Sequence, residues 1–329
     1  MKESSYRDAL VFGWQFTKKH KFLWVYGLFA AVLGQMGIFD ILAKISSAIF
    51  KTGVAEPQTF RQFYAFLAWH PSWDSFFSEN GSDWFWLFWV VLVCIGLFVF
   101  FVVISLISQG ALIHAAAQAN GGKGTVAKDS REWHAGVSHF WRLFFLNALK
   151  RIVIAYGAFL AGWSAYTALL SGKGTDLLFF LGVFLFAATL GLISSFLVIY
   201  AAGYVVVEEY PLFEAIHAAW RLFLAHWLVS FEVGVIFFVL NLFLGFFGAL
   251  LFLVLLLPIA VVWFFALLIG SQFLFALVVA FFFLCFVAGV LLMASFFTVF
   301  STTVWTHLFM HMHRYGMKSR VLHWLSYAE

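Results

Sequence analysis

The sequence predicts an all-α fold, a polytopic transmembrane helical bundle of about six spans. The spans are arranged as three hairpins, each preceded by an in-plane amphipathic helix. Three observations carry this reading. Between Trp227 and His311 the chain runs 85 residues with one formally charged side chain, Glu232. A water-soluble domain must face solvent with polar residues somewhere along such a stretch, whereas roughly 18 consecutive apolar residues already read as a transmembrane helix. The composition, 64% hydrophobic, 22% aromatic and 10% charged, points the same way. The basic residues, finally, divide very unequally between the two sides of the implied topology.

The first element, Tyr6 to Lys21, suits an interfacial helix, with Asp8, Lys18, Lys19 and Lys21 opposite Leu10, Phe12 and Trp14. About twenty polar or amphipathic residues precede the first apolar run and no small-x-small site follows it, so a cleavable signal is not expected. Six apolar segments then follow, at 22–39, 84–118, 152–170, 177–204, 227–257 and 271–311. A span needs ~20 residues at 1.5 Å each, so the longer segments are expected to tilt or to project from the membrane as helix.

Orientation comes from the loops. With both termini cytoplasmic, that side collects Lys2, Arg7, Lys18, Lys19, Lys21, Lys123, Lys128, Arg131, Arg142, Lys150, Arg151, Arg221, Arg314, Lys318 and Arg320. The other side receives only Lys44, Lys51, Arg61 and Lys173. Such a bias follows the positive-inside rule and places the protein in an inner (cytoplasmic) membrane. The same rule requires an even number of crossings between Trp227 and His311. Two long spans broken near Pro258 and Gly270 satisfy it; the alternative is four short ones turning near Gly245–Gly248, Gly270 and Gly289. The net charge of +4 is explained by this topology, so no nucleic-acid partner is expected. Cys94 and Cys285 lie in apolar runs and give neither a disulfide framework nor a metal spacing.

The whole chain, 1–329, reads as a single integral membrane domain containing repeat-like units 4–119, 133–205 and 210–312, followed by a tail at 313–329. Asp8-Ala9 precedes Trp14-Gln15-Phe16, Ala135-Gly136 precedes Trp141-Arg142-Leu143, and Glu214-Ala215 precedes Trp220-Arg221-Leu222. A small residue stands five positions before each Trp, and Gly27, Gly157 or Gly234 follows in the span. In the third unit Leu212, Phe213, Ile216, Trp220, Phe223 and Trp227 form one stripe and Glu214, His217 and Arg221 another, with Pro211 in a first-turn position. Ala158 with Gly162, Gly157 with Ala161, Ala187 with Gly191 and Gly191 with Ser195 favour close packing of a helical hairpin around the short Ser171–Asp176 turn. The outer loop 40–83 is aromatic and mildly acidic, with a surface helix expected at Pro57 to His70.

Candidate site residues are few. Glu232 is the one carboxylate inside a long apolar run, where a charge costs ~2.5–3.5 kcal/mol on insertion scales and usually faces a wet interior. Lys150 and Arg151 are its expected partners, and Pro258 and Gly270 mark interruptions of the kind that line binding sites. His307 and His311 stand four apart on one helix face, with His114 and His217 expected at similar depth. No Cys or carboxylate joins them at metal-site spacing, so they are expected to be structural and no cofactor is assigned. Gly121-Gly122-Lys123-Gly124-Thr125 lacks the phosphate-loop spacing. No Ser/His/Asp grouping, H-E-x-x-H or dinucleotide fingerprint is present, so enzymatic activity is not expected.

The segments "DALVFGWQFTKKHKFLWVYGLFAAVLG", "LISQGALIHAA" and "EEYPLFEAIHAAWRLFLAHW" resemble a broad group of uncharacterised bacterial multi-pass proteins, similar to the membrane domain attached to some glycerophosphoryl diester phosphodiesterases. The resemblance implies a membrane helical fold. The soluble phosphodiesterase barrel and its metal-binding carboxylates are absent from this sequence, so it implies no hydrolase residues. The expected role is a non-enzymatic membrane protein that binds or transports a lipid or small solute. The alternatives are a structural or assembly subunit, or a membrane-embedded lipid-headgroup enzyme. Expected partners are membrane lipids and either another membrane protein or a second copy of the chain.

Overall fold

The computed structural model describes residues 6–34, 81–121, 131–269 and 272–315. Among them the regular structure is entirely helical, in nine helices: α1 (Tyr6–Lys19), α2 (Leu23–Gly34), α3 (Gly81–Asn120), α4 (Arg131–Ser138), α5 (Phe140–Ser171), α6 (Gly174–Val207), α7 (Leu212–Ala225), α8 (Trp227–Ile269) and α9 (Gln272–Tyr315). Five apolar stretches are long enough to cross a bilayer: Phe88–Asn120, Phe140–Ser171, Gly174–Val207, Trp227–Val262 and Ala280–Arg314. Each has 32 to 36 residues, roughly 50 Å of helix against a hydrocarbon core of ~30 Å. This is a multi-pass membrane protein whose helices outreach the membrane.

The segment expected at 22–39 corresponds to α2, whose 12 described residues reach only about 18 Å. Its remainder lies outside the described residues, as do the loop at 40–80 with its expected helix, Gly122–Thr125, Gly270 and the tail from 316. The expected break at Pro258 is not found, because α8 runs through it to Ile269. An interior proline removes one ladder hydrogen bond, a loss that apolar helices in membranes tolerate. Unbroken helix through Gly245, Gly248 and Gly289 also sets aside the four-short-span alternative.

The chain forms two compact units. One comprises Leu28–Ser105 and Leu240–Phe296. Here α3 is exposed at every residue from Phe88 to Phe101, and a helix that is apolar all round and uncovered by protein suits an acyl-chain environment. Ser105 donates its hydroxyl to the Phe29 carbonyl. Helices α8 and α9 pair through Phe252, whose ring lies 5.8 Å from Phe282 and 5.3 Å from Phe286, and through Leu251 against Gly289.

The other unit, Met1–Gly27, Leu106–Val239 and Phe297–Glu329, holds a dense aromatic core. Trp305 stacks on Phe237 at 5.6 Å and meets Phe196 and Tyr200 at 5.7 and 6.1 Å. The Tyr200 hydroxyl pairs with Ser230 at 2.6 Å, which satisfies both buried oxygens. Glycines set the helix approaches. Gly234 leaves room for the Phe196 ring, Gly203 for Phe309 and Gly13 for Val304. The closest approach is at Gly136, where an added Cβ would collide with the Ile107 carbonyl, so α4 lies with its backbone against α3.

Between α5 and α6 the link is Gly172 and Lys173, with Gly172 at φ +60 and its N–H bonded to the Ala168 carbonyl. Gly157 packs on Ala187, both members of the small-residue pattern. Gly162 instead has open space where its Cβ would stand, and Ala158 is exposed, so that pair does not mediate the packing.

Helix α7 has three faces rather than two. Its buried side is Ala215, Ala219 and Leu222, while Phe213 and Trp220 are exposed along with Glu214, His217 and Arg221. Small residues let α7 sit close to its neighbours, and the aromatic stripe is left for the surroundings. Pro211 occupies the cap position just before the helix rather than its first turn. The same burial recurs around the other two tryptophans: Ala9, Gly136 and Ala215 are buried, as are Phe16, Leu143 and Leu222, while Trp14, Trp141 and Trp220 are exposed. The middle copy departs in one respect. Its helix breaks at His139, before Trp141, because the His139 ring nitrogen bonds the Ala135 carbonyl at 2.7 Å and the Ser138 hydroxyl at 2.9 Å. The other two copies break six residues after their Trp, at His20 and His226.

Candidate functional site

Polar side chains inside apolar helices either bond their own backbone or open onto a cavity. Along α9 the sequence Ser301-Thr302-Thr303-Val304-Trp305-Thr306 interrupts an otherwise apolar run. Two of these hydroxyls turn back on the helix: Thr303 donates to the Val299 carbonyl at 2.7 Å and Thr306 to the Thr302 carbonyl at 2.8 Å. No hydrogen bond among the described residues engages the hydroxyls of Ser301 or Thr302. Both residues line a cavity of about 110 Å³ with Gln109 and Ile113 of α3, Ile199, Ala202 and Gly203 of α6, and Trp305, Thr306 and Phe309 of α9.

Gln109 is held from behind. Asn147 of α5 donates one Nδ2 proton to Gln109 Oε1 at 3.0 Å and the other to the Leu143 carbonyl at 2.9 Å. That arrangement fixes the Gln109 amide, with its carbonyl taken up and its Nε2 protons free to serve a ligand. Among the described residues that line the cavity none is charged. Ser301 has no base beside it either. The nearest imidazole in sequence, His307, lies tilted against Phe12 of α1 at 4.8 Å and against His311 at 4.4 Å. The lining thus offers hydrogen-bonding groups that are all uncharged.

The residues singled out in the sequence fall elsewhere. Glu232 is half-buried near the start of α8; it and Arg151 each have a partner in the fold, and neither lines the cavity, nor does Lys150 or Pro258. The four histidines separate into His307 with His311, His114 facing His139, and His217 on the exposed side of α7. Among the described residues no three His, Cys, Asp or Glu side chains gather to hold a metal. At the edge of this unit His20 bonds the Phe16 carbonyl at 3.2 Å, and burial, reinforced by Lys19, holds its pKa below the ordinary 6.5. Tyr204 meets His313 at 3.2 Å, with Glu208 3.9 Å beyond, and Arg142 donates to the carbonyls of Glu209 and Tyr210 at 3.3 and 3.5 Å. These contacts fasten the turn before α7.

Compared with protein-family models, curated proteins and solved structures, the chain matches none. The cavity was missed in the sequence because its residues are uncharged. The signal was present, however, as amides at 109 and 147 and three hydroxyl residues in succession from 301, those at 109 and 301–303 inside apolar runs.

Proposed function

We propose that this is a non-enzymatic protein of the inner (cytoplasmic) membrane that binds a lipid or small solute in the cavity between α3, α6 and α9. The observation that carries the reading is that cavity: Gln109, Ser301, Thr302 and Thr306 line it together with apolar residues, and none of its lining among the described residues is charged. Pockets built this way use a few placed polar groups to orient a ligand and apolar surface to hold it. The topology is six crossings in three hairpins, α2 starting the first of them, with both termini cytoplasmic. The fifteen-to-four division of basic residues supports that orientation. The common burial around Trp14, Trp141 and Trp220 supports three repeated units, each with a helix lying along the cytoplasmic surface.

Native mass spectrometry of protein extracted gently from its own membrane tests the reading. One lipid or small-solute adduct per chain is expected, and Thr302→Phe, which fills the cavity without removing a hydrogen bond, is expected to eliminate it. An adduct-free wild type, or an adduct indifferent to Thr302→Phe, contradicts the proposal.

A further inference from the structure

Resting on the binding reading just given, we infer that the cavity selects a small neutral group carrying oxygen acceptors, a hydroxyl or an ester carbonyl, and rejects ions. The chemistry of the wall sets this. Gln109 offers two N–H donors, because Asn147 occupies its carbonyl. Ser301 and Thr302 offer two hydroxyls with no competing bond among the described residues. Thr306 has already given its proton to the Thr302 carbonyl and can only accept. Gln109 of α3 and Ser301 and Thr302 of α9 therefore bring hydrogen-bond donors to the space from two helices, and what completes them is an oxygen with lone pairs.

Charge is excluded by the same lining. A phosphate, carboxylate or ammonium placed here would lose its hydration without meeting an opposite charge, since no ionisable side chain among the described residues lines the cavity. A neutral hydroxyl or carbonyl loses far less and recovers it in hydrogen bonds. Size adds a second filter. At about 110 Å³ the space is smaller than the ~150 Å³ cavity that holds a benzene ring. It accommodates a few heavy atoms, such as a glyceryl or ester unit, with Trp305 and Phe309 as its apolar side. Such a unit arrives either on a neutral acylglycerol in the membrane or as a free small polyol.

The protein in phosphatidylcholine nanodiscs is titrated with dioleoylglycerol, with dioleoylphosphatidate at the same mole fraction, and with free glycerol, and occupancy is read by native mass spectrometry. A neutral probe is expected to bind at least about tenfold tighter than phosphatidate, and Ser301→Ala with Thr302→Val is expected to weaken it about tenfold, the scale of one or two lost hydrogen bonds. Whether dioleoylglycerol or glycerol gives that result identifies the source. Neither hydroxyl bonds the protein, so the double variant should melt like the wild type; Ser301→Ala alone gives a smaller loss in the same direction. Phosphatidate binding as tightly as the neutral probes overturns the selectivity while leaving lipid binding in place. If no probe binds, or if binding ignores both variants, the site itself is overturned.

Discussion

Asn147 donates to Gln109 Oε1 at 3.0 Å, so a residue of α5 decides which end of an amide on α3 is available to the cavity. Asn147 does not line the space, yet it sets the donor pattern there. Replacing it by Ala removes two hydrogen bonds, a cost of about 1–2 kcal/mol, and frees Gln109 to turn. Binding of the neutral probe should weaken about three- to tenfold, with a lower melting temperature. Full affinity in Asn147→Ala would mean that Gln109 takes no part in recognition.

Gly136 and Gly162 make opposite expectations from the same substitution. An alanine methyl at Gly136 meets the Ile107 backbone, which cannot step aside, whereas at Gly162 it enters open space. Gly136→Ala should cost on the order of 1–3 kcal/mol or more, as overpacking does. Gly162→Ala should leave the melting temperature in detergent unchanged or slightly raised, since alanine is the better helix former. Equal effects in the two variants would contradict the α3–α4 contact.

Acid should destabilise the α1–α2 junction through His20. Burial and Lys19 hold its pKa below 6.5, against the smaller pull of the Phe16 carbonyl. The folded chain therefore binds fewer protons than the unfolded chain as pH falls below 6.5. Its contribution is complete above 6.5 and is lost as pH drops through the folded value. His20→Gln should reduce the loss of melting temperature between about pH 7.5 and about pH 5.5; an identical loss in both proteins excludes this residue as a source of acid sensitivity.

Glu232 stands apart from the cavity wall. Glu232→Gln should accordingly leave probe binding within about twofold, well under the tenfold that corresponds to 1.4 kcal/mol. A larger loss relocates the binding site to the start of α8.

Helical class and the long apolar segments were legible in the sequence, because hydrophobic run length reports directly on a helix in lipid; small-residue spacing marked Gly157 and Ala187 but not their contact with each other. Pro258 misled because its cost inside a helix is judged by the standards of water. Amphipathicity alone does not say which residues of α7 meet protein; Ala215 and Ala219, not Trp220, lie in the interface. The cavity required the third dimension. Gln109, Gly203 and Ser301 are far apart in sequence, and only the packing of three helices brings a donor, a gap and a hydroxyl together.

Cysteine accessibility in a Cys94→Ala, Cys285→Ala background measures directly whether a polar space lies among these apolar helices. Single cysteines are placed at Ser301 in the cavity and at Phe98 and Leu292, which are exposed on apolar helix surfaces, and a small, neutral, water-soluble methanethiosulfonate (the hydroxyethyl reagent) is applied to membranes. Ser301→Cys should react, and the neutral ligand should protect it, while Phe98→Cys and Leu292→Cys stay unmodified. A cysteine at Ser301 as inert as the other two would show that hydrocarbon, not a polar cavity, fills this part of the protein.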